Sequence, residues 1–206
     1  MYYFITFLVS YLIGTINPAK ITAKRVKNID ISKVNSKNPG TSNIAITLGM
    51  KYAIIVGFLD IFKGALPVII ARILFHDNDI FWFVAGCSAI LGHMHPFHMK
   101  FKGGKGTATF GGMVLAIVPL ISLGMAVLFT IILFRTKFMA LATLFVIVSY
   151  PIIFLLLDYH YISVLLVTAF SIISFAKHTP NFIKIYKKEE MSLDAVGKDK
   201  NKEKEA

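Results

Sequence analysis

Long apolar runs separated by short charged turns constrain the fold of this chain more than any other feature. Of its 206 residues, 56% are hydrophobic and only 16% are charged. A soluble globular domain carries fewer apolar residues and more charge. Because α-helices satisfy their own backbone hydrogen bonds inside lipid, the sequence predicts an all-α polytopic membrane protein.

The apolar runs are the candidate membrane spans, and the turns between them set their limits. The predicted spans cover residues 2–18, 52–75, 80–95, 107–134, 138–157 and 161–175. We predict one integral-membrane domain over residues 1–188. The tail at 189–206 mixes Lys and Glu, and this composition predicts a disordered cytoplasmic segment.

The positions of Lys and Arg predict how often the fourth run crosses the membrane. Residues 18–52 carry seven cations and one acid, which marks the inner side of the membrane. If 107–134 crosses once, Arg135 and the cations of 177–188 lie outside. If it folds back at Pro119, they lie inside with the other cations, and the positive-inside rule favours this hairpin.

The predicted hairpin has 28 residues for two crossings. A full helical crossing needs about 20 residues, so some of these helices must be short or half-crossing. We therefore predict about seven transmembrane helices, with the N-terminus outside and the C-terminus in the cytoplasm. This arrangement places the three polar segments described below on one cytoplasmic face.

A strongly basic chain can bind nucleic acid, and the formal net charge here is +11. The cations of this chain border apolar spans, where they orient the protein and attract anionic membrane lipid. The sequence offers no basic soluble domain to carry nucleic-acid recognition. Membrane lipid is therefore an expected partner, and nucleic acid is not.

A glycine-rich basic loop, Phe-Lys-Gly-Gly-Lys-Gly-x-Ala-Thr at 101–109, lies between two apolar runs. Glycine allows a ligand to approach the main-chain N–H groups, and successive N–H groups before a helix form an anion-binding nest. Lys102 and Lys105 add two charges. The pattern indicates phosphate binding at a membrane surface, although a simple glycine turn with two inner-side lysines has the same composition.

Two further polar clusters accompany the glycine loop. The first, at 35–43, supplies hydroxyls, amides and a lysine suited to a polyol phosphate, although Ser42 or Asn43 there can also simply cap a helix. Its candidate substrate-binding residues are Asn38, Gly40, Ser42 and Asn43. The second cluster is His178-Thr-Pro-Asn181 followed by Lys184, at the inner end of the last span.

Several other patterns in the sequence bear on its chemistry. Asp60 and Lys63 lie three residues apart on one helix face and are predicted to pair or to line a polar cavity. The histidines at 93, 95 and 98 lack a second cluster that would complete a metal site. The glycine loop lacks the spacing and the hydroxyl residue of an ATP-binding P-loop. No cofactor and no metal are expected.

The ordered polar segments resemble the bacterial acyl-phosphate:glycerol-3-phosphate acyltransferase family (PlsY type). The resemblance covers residues 9–188, and the glycine loop is its most specific part. Its segments lie at 11–18, 36–49, 59–67, 91–93, 101–109 and 178–181. It implies seven transmembrane helices in the bacterial cell membrane, with the polar segments at the cytoplasmic face.

The implied reaction moves a fatty acyl group from acyl phosphate to the 1-hydroxyl of sn-glycerol 3-phosphate, giving lysophosphatidic acid and phosphate. Carried over by position, the resemblance implies that Ser36 touches the reacting groups. It implies that the acyl-phosphate anion is held by Gly103, Gly104, Lys105 and Gly106, and that glycerol phosphate is bound by His178, Asn181 and Lys184. Ser36, Lys105, His178 and Asn181 are the candidate catalytic residues. The enzyme that forms acyl phosphate is an implied partner.

This chain departs from the family pattern at two places. Ten residues after the motif serine the family has an arginine, whereas this chain has Ile46, which cannot bind phosphate through a guanidinium fork. The family also has glycine on both sides of the serine, where this chain has Asn35 and Lys37. A weakly active or inactive copy is thus an alternative, as is a transporter or sensor of a phosphorylated metabolite.

Overall fold

The computed structural model describes residues 1–190 and residue 192, and regular structure within this part of the chain is helical. Two short 3-10 turns cover Ile31–Lys33 and Phe97–Met99. The helices are α1 (Tyr2–Thr15), α2 (Pro18–Lys27), α3 (Thr41–Leu48), α4 (Met50–Leu74), α5 (Asp79–Met94), α6 (Thr107–Ile117), α7 (Pro119–Thr136), α8 (Met139–Leu156) and α9 (Tyr161–Tyr186). Most of the predicted disordered tail lies outside the described residues.

Within the part of the chain that the structure describes, six helical segments are long and apolar enough to cross a membrane. They are α1 together with α2, then α4, α5, α7, α8 and α9. Helix α6 is apolar but has only 11 residues, so it is about 16 Å long and shorter than the ~30 Å hydrocarbon core of a bilayer. The fold class is therefore all-helical and polytopic.

The chain reverses direction between α6 and α7, at the position of Pro119. The first turn of α6 lies beside the second turn of α8, since Thr107 Oγ1 is 3.3 Å from Thr143 Oγ1. The first turn of α7 lies beside a late turn of α8, since the Tyr150 hydroxyl donates to Ser122 Oγ at 2.9 Å. Helices α6 and α7 thus run in opposite directions along α8.

Glycine residues allow two helix pairs to pack closely. A Cβ atom on Gly14 of α1 would lie 2.0 Å from the Ala89 carbonyl oxygen of α5. A Cβ atom on Gly64 of α4 would lie 2.0 Å from the Thr109 carbonyl oxygen of α6. Small residues at such crossings let backbones approach inside a membrane, where dispersion contacts stabilise helix association. The α4–α6 contact fixes the helix that starts at the glycine loop.

Two predicted boundaries differ from the structure. Residues 18–52 are predicted only as a basic segment on the inner side, and in the structure they contain the helices α2 and α3. The last span was predicted to end at residue 175, whereas α9 continues through Pro180 to Tyr186. Hydropathy falls where the helix leaves the apolar layer, although the backbone remains helical. As a result, His178 and Asn181 lie one turn apart on the same helix.

Candidate active site

The glycine loop leads into α6 with a row of backbone donors left open. Among the described residues, the consecutive N–H groups of 105–109 have no hydrogen-bond acceptor. Gly106 adopts φ +89° as the N-cap of α6, a conformation that glycine takes without strain. The first amides of a helix carry positive potential, so these donors and the start of α6 form a nest suited to an anion.

Gly103 and Gly104 contribute to this nest indirectly. Their N–H groups donate to the carbonyls of Met94 and His93, each at 3.1 Å, at the end of α5. A Cβ atom on Gly104 would lie 2.1 Å from His93 Nε2, and one on Gly103 would lie 2.1 Å from the His93 carbonyl oxygen. These two glycines hold the loop against α5, while the N–H groups of 105–109 are left without an acceptor among the described residues.

Lys105 reaches across the loop to α9. Its ammonium donates to Asn181 Oδ1, and Asn181 Nδ2 in turn donates to Glu190 Oε1 at 2.5 Å. Burial lowers the pKa of Lys105 from its ordinary value; the Glu190 carboxylate opposes this shift, whereas the cations Lys184 and Lys177 add to it. The site therefore concentrates positive charge that a bound anion would neutralise.

His178 lies one helical turn before Asn181 and is buried. Its Nε2 atom is 3.4 Å from Thr107 Oγ1 in the first turn of α6. Its Nδ1 atom has no hydrogen-bond partner among the described residues. A buried imidazole nitrogen without a partner at the edge of an anion nest is suited to contact a substrate hydroxyl or phosphate.

Lys177 and Lys184 flank these groups on α9. Lys177 donates to the Met94 carbonyl at 2.8 Å and so ties α9 to the base of the glycine loop. Lys184 is exposed near the end of the helix and lies close enough to influence the pKa of Lys105. Lys105, His178 and Asn181 are thus gathered in one place, with Lys184 at its rim.

The Ser36 segment forms a separate loop that two buried asparagines hold in shape. Asn43 Nδ2 donates to the carbonyls of Ile31, Val34 and Asn38 at 3.0–3.1 Å. Asn17 Nδ2 donates to the Pro39 carbonyl at 3.1 Å. Ser36 itself is exposed on the outer turn of this loop. Asn43 therefore shapes the loop through its amide nitrogen.

The interpretation of Ser42 or Asn43 as a helix cap is wrong. Helix α3 begins at Thr41 with Gly40 as its N-cap and has no side-chain cap. Ser42 Oγ instead lies 3.0 Å from Met139 Sδ at the start of α8. Since α8 also contacts α6 through Thr143, the N-terminal ends of three helices meet here, which adds to the positive potential of the site.

The backbone at Asn35 and Lys37 explains the glycines of the family pattern. Asn35 has φ +48° and Lys37 has φ +58°, both in the left-handed region that glycine adopts without a steric cost. Asparagine tolerates this conformation better than most residues, whereas lysine does not. The loop around Ser36 keeps the required shape but carries strain at Lys37.

We expect Lys37→Gly to stabilise the protein by about 0.5–1 kcal/mol, because relief of the left-handed strain exceeds the added entropy of the unfolded chain. Thermal unfolding of the purified protein should shift upward by about 2 °C. Lys33→Gly is the matched control, because Lys33 lies in the neighbouring 3-10 turn without a positive φ. A shift of the same sign in both variants would contradict the argument.

A buried ionic cluster of Asp60, Lys63 and His93 lies next to the glycine loop and supports it. Lys63 Nζ lies 2.8 Å from Asp60 Oδ1 and 2.8 Å from His93 Nδ1, and it donates to the Ile16 carbonyl at 2.6 Å. The three side chains are each at most 6% exposed. The predicted pairing of Asp60 with Lys63 is therefore present, and His93 joins α5 to it. Through His93, the cluster fixes the surface on which Gly104 rests.

Four residues near the site were not singled out from the sequence. Asn17 and Thr107 lie within two of the segments that carry the family resemblance, at 11–18 and 101–109, but the sequence assigns neither residue a role. Lys177 resembles any cation at the end of a span, and Glu190 lies in a Lys- and Glu-rich run that indicates only solvation. Only the fold of α9 and the turn after it brings Glu190 onto Asn181. No group of three or more His, Cys, Asp or Glu side chains suited to a metal ion occurs among the described residues.

The fold and the site define a polytopic helical membrane protein with a cationic, amide-lined site suited to phosphate-bearing ligands. Comparison with known proteins specifies it further. Residues 4–188 match the family model described as glycerol-3-phosphate acyltransferase. The chain belongs to this family, and it is accordingly an integral-membrane acyltransferase that acts on glycerol 3-phosphate.

Relatives and solved structures agree with this assignment. The chain is 35% identical to glycerol-3-phosphate acyltransferase 1 of Oceanobacillus iheyensis, over 95% of this chain and 97% of that protein. It is 36% identical to the glycerol-3-phosphate acyltransferase of Bacillus subtilis, over 89% and 93% of the two chains.

The crystal structure of PlsY (YgiH), an integral membrane glycerol 3-phosphate acyltransferase, in its glycerol 3-phosphate form is similar with a TM-score of 0.87. This similarity has 28% identity and covers 94% of this chain and 96% of that one. The lysophosphatidic acid form of the same protein gives a TM-score of 0.84 and 27% identity, over 93% and 95% of the two chains.

Proposed function

We infer that this enzyme takes its acyl group from acyl phosphate and transfers it to the 1-hydroxyl of sn-glycerol 3-phosphate, giving lysophosphatidic acid and phosphate. The observation that carries this proposal is the row of open N–H groups at 105–109 beside the Lys105 ammonium. Both substrates are anions, and such donors bind phosphoryl oxygens strongly in a site partly removed from water. An enzyme that forms acyl phosphate would supply the donor.

In this mechanism, the amides of 105–109 and Lys105 hold the phosphate of the donor. The 1-hydroxyl oxygen attacks the acyl carbon, and the carbon–oxygen bond to the phosphate then breaks. The leaving phosphate accepts the hydroxyl proton, so no protein base is required. Lys105 stabilises the negative charge that grows on the phosphate as this bond breaks, which is the kind of stabilisation that lowers a barrier.

The second substrate is assigned to the α9 side of the site. His178 Nδ1, Asn181 and Lys184 offer one buried imidazole nitrogen without a partner among the described residues, one amide and one exposed cation on the same helix. Glycerol 3-phosphate presents hydroxyls and a dianionic phosphate that match these groups. We assign Ser36, on its asparagine-held loop, to the reacting groups, and Asn38, Gly40, Ser42 and Asn43 to the wall around it.

We assign the active site to the cytoplasmic face of the bacterial cell membrane. Seven helices then cross the membrane, α6 being the short one, with the N-terminus outside and the C-terminus inside. The support is that residues 18–52, the loop 99–109 and the end of α9 carry most of the cations, and cations concentrate on the cytoplasmic side. Cysteine labelling at Lys51 and at Asp158 in intact cells would assign the two faces.

The donor is tested by supplying the purified protein with palmitoyl phosphate and sn-glycerol 3-phosphate in detergent or a lipid mesophase. Inorganic phosphate and lysophosphatidic acid should form in equal amounts, and only when both substrates are present. Activity with acyl-coenzyme A and none with palmitoyl phosphate would overturn the donor assignment while leaving the family assignment intact.

Activity should fall at alkaline pH earlier than the ordinary pKa of lysine predicts. Burial lowers the pKa of Lys105, and the ammonium is the form that holds the donor, so its charge is lost at lower pH than for an exposed lysine. The measurement is kcat/KM from neutral to alkaline pH, corrected for spontaneous hydrolysis of the donor. In Lys105→Arg the remaining activity should stay level over this range, because arginine stays protonated. Lys102→Arg should keep the wild-type profile.

A weakly active copy is the second candidate, and Ile46 is the observation in its favour. Ile46 lies half-buried on α3, ten residues after Ser36, where the family pattern has arginine. We expect Ile46→Arg to raise kcat/KM about tenfold or more, the effect of one added charge-assisted hydrogen bond. Ile46→Leu should leave it unchanged. An unaltered rate in folded Ile46→Arg would show that other groups already supply the missing charge.

A further inference from the structure

An open groove of about 390 Å³ runs along the outer surface of the bundle, between α1–α2 and α4. Its floor and walls are almost entirely aliphatic and aromatic. They include Ile13, Ile21, Ile55, Leu59, Phe62 and Leu66. Ile21, Ile55, Leu59 and Phe62 are each 40–49% exposed, so the groove opens toward the surroundings of the bundle.

Among the described residues, two cations line the groove, and they differ in whether their charged group is already bound by other protein groups. Lys63 lines it, but its ammonium is engaged by Asp60, His93 and the Ile16 carbonyl. Arg25, in the last turn of α2, is exposed. No acidic side chain among the described residues lines the groove. One end therefore presents an exposed guanidinium, and the remainder presents apolar surface.

The dimensions of the groove match one leaflet of a bilayer. From Ile55 to Leu66, α4 rises about 16 Å, which is about half of the ~30 Å hydrocarbon core. Ala19 and Ala23 of α2 are buried in one cluster with Ala53 and Val56 of α4, so α2 lies beside the first turns of α4. Arg25 is thus at the membrane-surface end and Leu66 near the midplane.

We propose that this groove binds one acyl chain of an anionic phospholipid from the bilayer, with the lipid phosphate at Arg25. A guanidinium binds a phosphate through paired hydrogen bonds, and an acyl chain of leaflet length covers the apolar walls. The surrounding segment 18–52 carries seven cations against one acid, so it attracts an anionic headgroup rather than a zwitterionic one.

The groove also borders two groups that hold the active site. Pro18 lines it next to Asn17, which holds the Ser36 loop through the Pro39 carbonyl. Lys63 lines it and holds His93 beneath the glycine loop. A lipid chain bound in the groove contacts Pro18 and Lys63 but not the substrates. Lipid binding therefore stabilises the active site from the membrane side.

The test is native mass spectrometry of the intact detergent-purified protein with dioleoyl phosphatidylglycerol or dioleoyl phosphatidylcholine, which share their chains and differ in headgroup charge. We expect the wild type to retain one phosphatidylglycerol in preference. Arg25→Gln should weaken this binding about fivefold, the effect of removing one interfacial cation. Arg135→Gln, at the end of α7, is the matched control and should not weaken it.

A second pair of variants tests the groove itself. Leu59→Trp fills the groove and should abolish retention of the lipid, whereas Ile54→Trp, exposed on the same helix outside the groove, should not. Equal retention of the two lipids would overturn the proposal, as would wild-type binding by both Arg25→Gln and Leu59→Trp. Preferential retention of palmitoyl phosphate over phosphatidylglycerol would assign the groove to the donor and would also overturn it.

Discussion

Lys105→Met is expected to lower kcat/KM about 10²–10³-fold while leaving the protein folded. This is the size of effect seen when one preorganised group that stabilises a developing charge is removed. Methionine matches the length of the lysine stem but carries no charge, so packing of the loop is kept while the ammonium is lost. The open amides of 105–109 remain in the variant, which is why residual activity is expected.

The mechanism predicts which kinetic parameter changes in Lys105→Met. If Lys105 stabilises charge that grows as the acyl–phosphate bond breaks, kcat falls more than the KM of the donor rises. Lys102→Met is the matched control, because Lys102 is exposed in the same loop and donates to no side chain among the described residues. It should retain activity within about twofold, consistent with a screened surface charge.

Thermal stability separates catalytic loss from misfolding in this experiment. Lys105 also donates to Asn181, so a small loss of stability is expected in the variant. A folded Lys105→Met with wild-type kcat/KM would remove the glycine loop from the mechanism. An equal loss in Lys102→Met would show that the effect is one of general charge and not of position.

The sequence predicted the spans well because hydropathy and membrane depth are directly coupled. Helices α4, α5 and α8 begin and end within two residues of the predicted runs. Helix α9 is the exception: its last eleven residues are polar enough to end a hydropathy run but remain helical. A single sequence reports where a helix leaves lipid, and this need not be where the helix ends.

The candidate site could be predicted in composition but not in its hydrogen bonds. The sequence indicated that glycine and lysine would meet an anion at 101–109. It could not show that Gly103 and Gly104 donate to the end of α5, leaving the donors from Lys105 onward open. Which amide is engaged depends on the packing of α5 against the loop, a long-range contact with no local signature.

The Ser36 loop illustrates a second limit of local patterns. Ser and Asn before an apolar run predict a helix cap, because isolated helices use such residues to satisfy their first amides. In the fold, Asn43 meets three backbone carbonyls of its own loop, which are unavailable in an isolated helix. The Asn43 side chain therefore makes these tertiary hydrogen bonds and does not cap the helix, and Gly40 is the N-cap of α3.

The second large effect is expected at the buried cluster beneath the glycine loop. Lys63→Met leaves the Asp60 carboxylate 2% exposed without its cation, and an uncompensated buried charge costs about 3–5 kcal/mol. Asp60→Asn leaves the Lys63 ammonium in the same position. Each single variant should therefore yield little folded protein, measured as the monodisperse fraction after purification and as the midpoint of thermal unfolding.

The double variant Asp60→Asn/Lys63→Met removes both charges and should be more stable than either single variant. The excess is the coupling energy of the pair, which a double-mutant cycle isolates. Lys51→Met, an exposed lysine on the same helix, is the control for loss of charge alone and should unfold like the wild type. Additive losses in the double variant would show that Asp60 and Lys63 act separately.

The double variant also tests whether the cluster positions the glycine loop. Without Lys63, His93 loses the group that orients its ring, and this ring forms the surface beneath Gly104. We expect a folded double variant to have a higher KM for acyl phosphate, because the amides of 105–109 are no longer held in the position that binds the donor. A folded double variant with the wild-type KM would confine the cluster to stability.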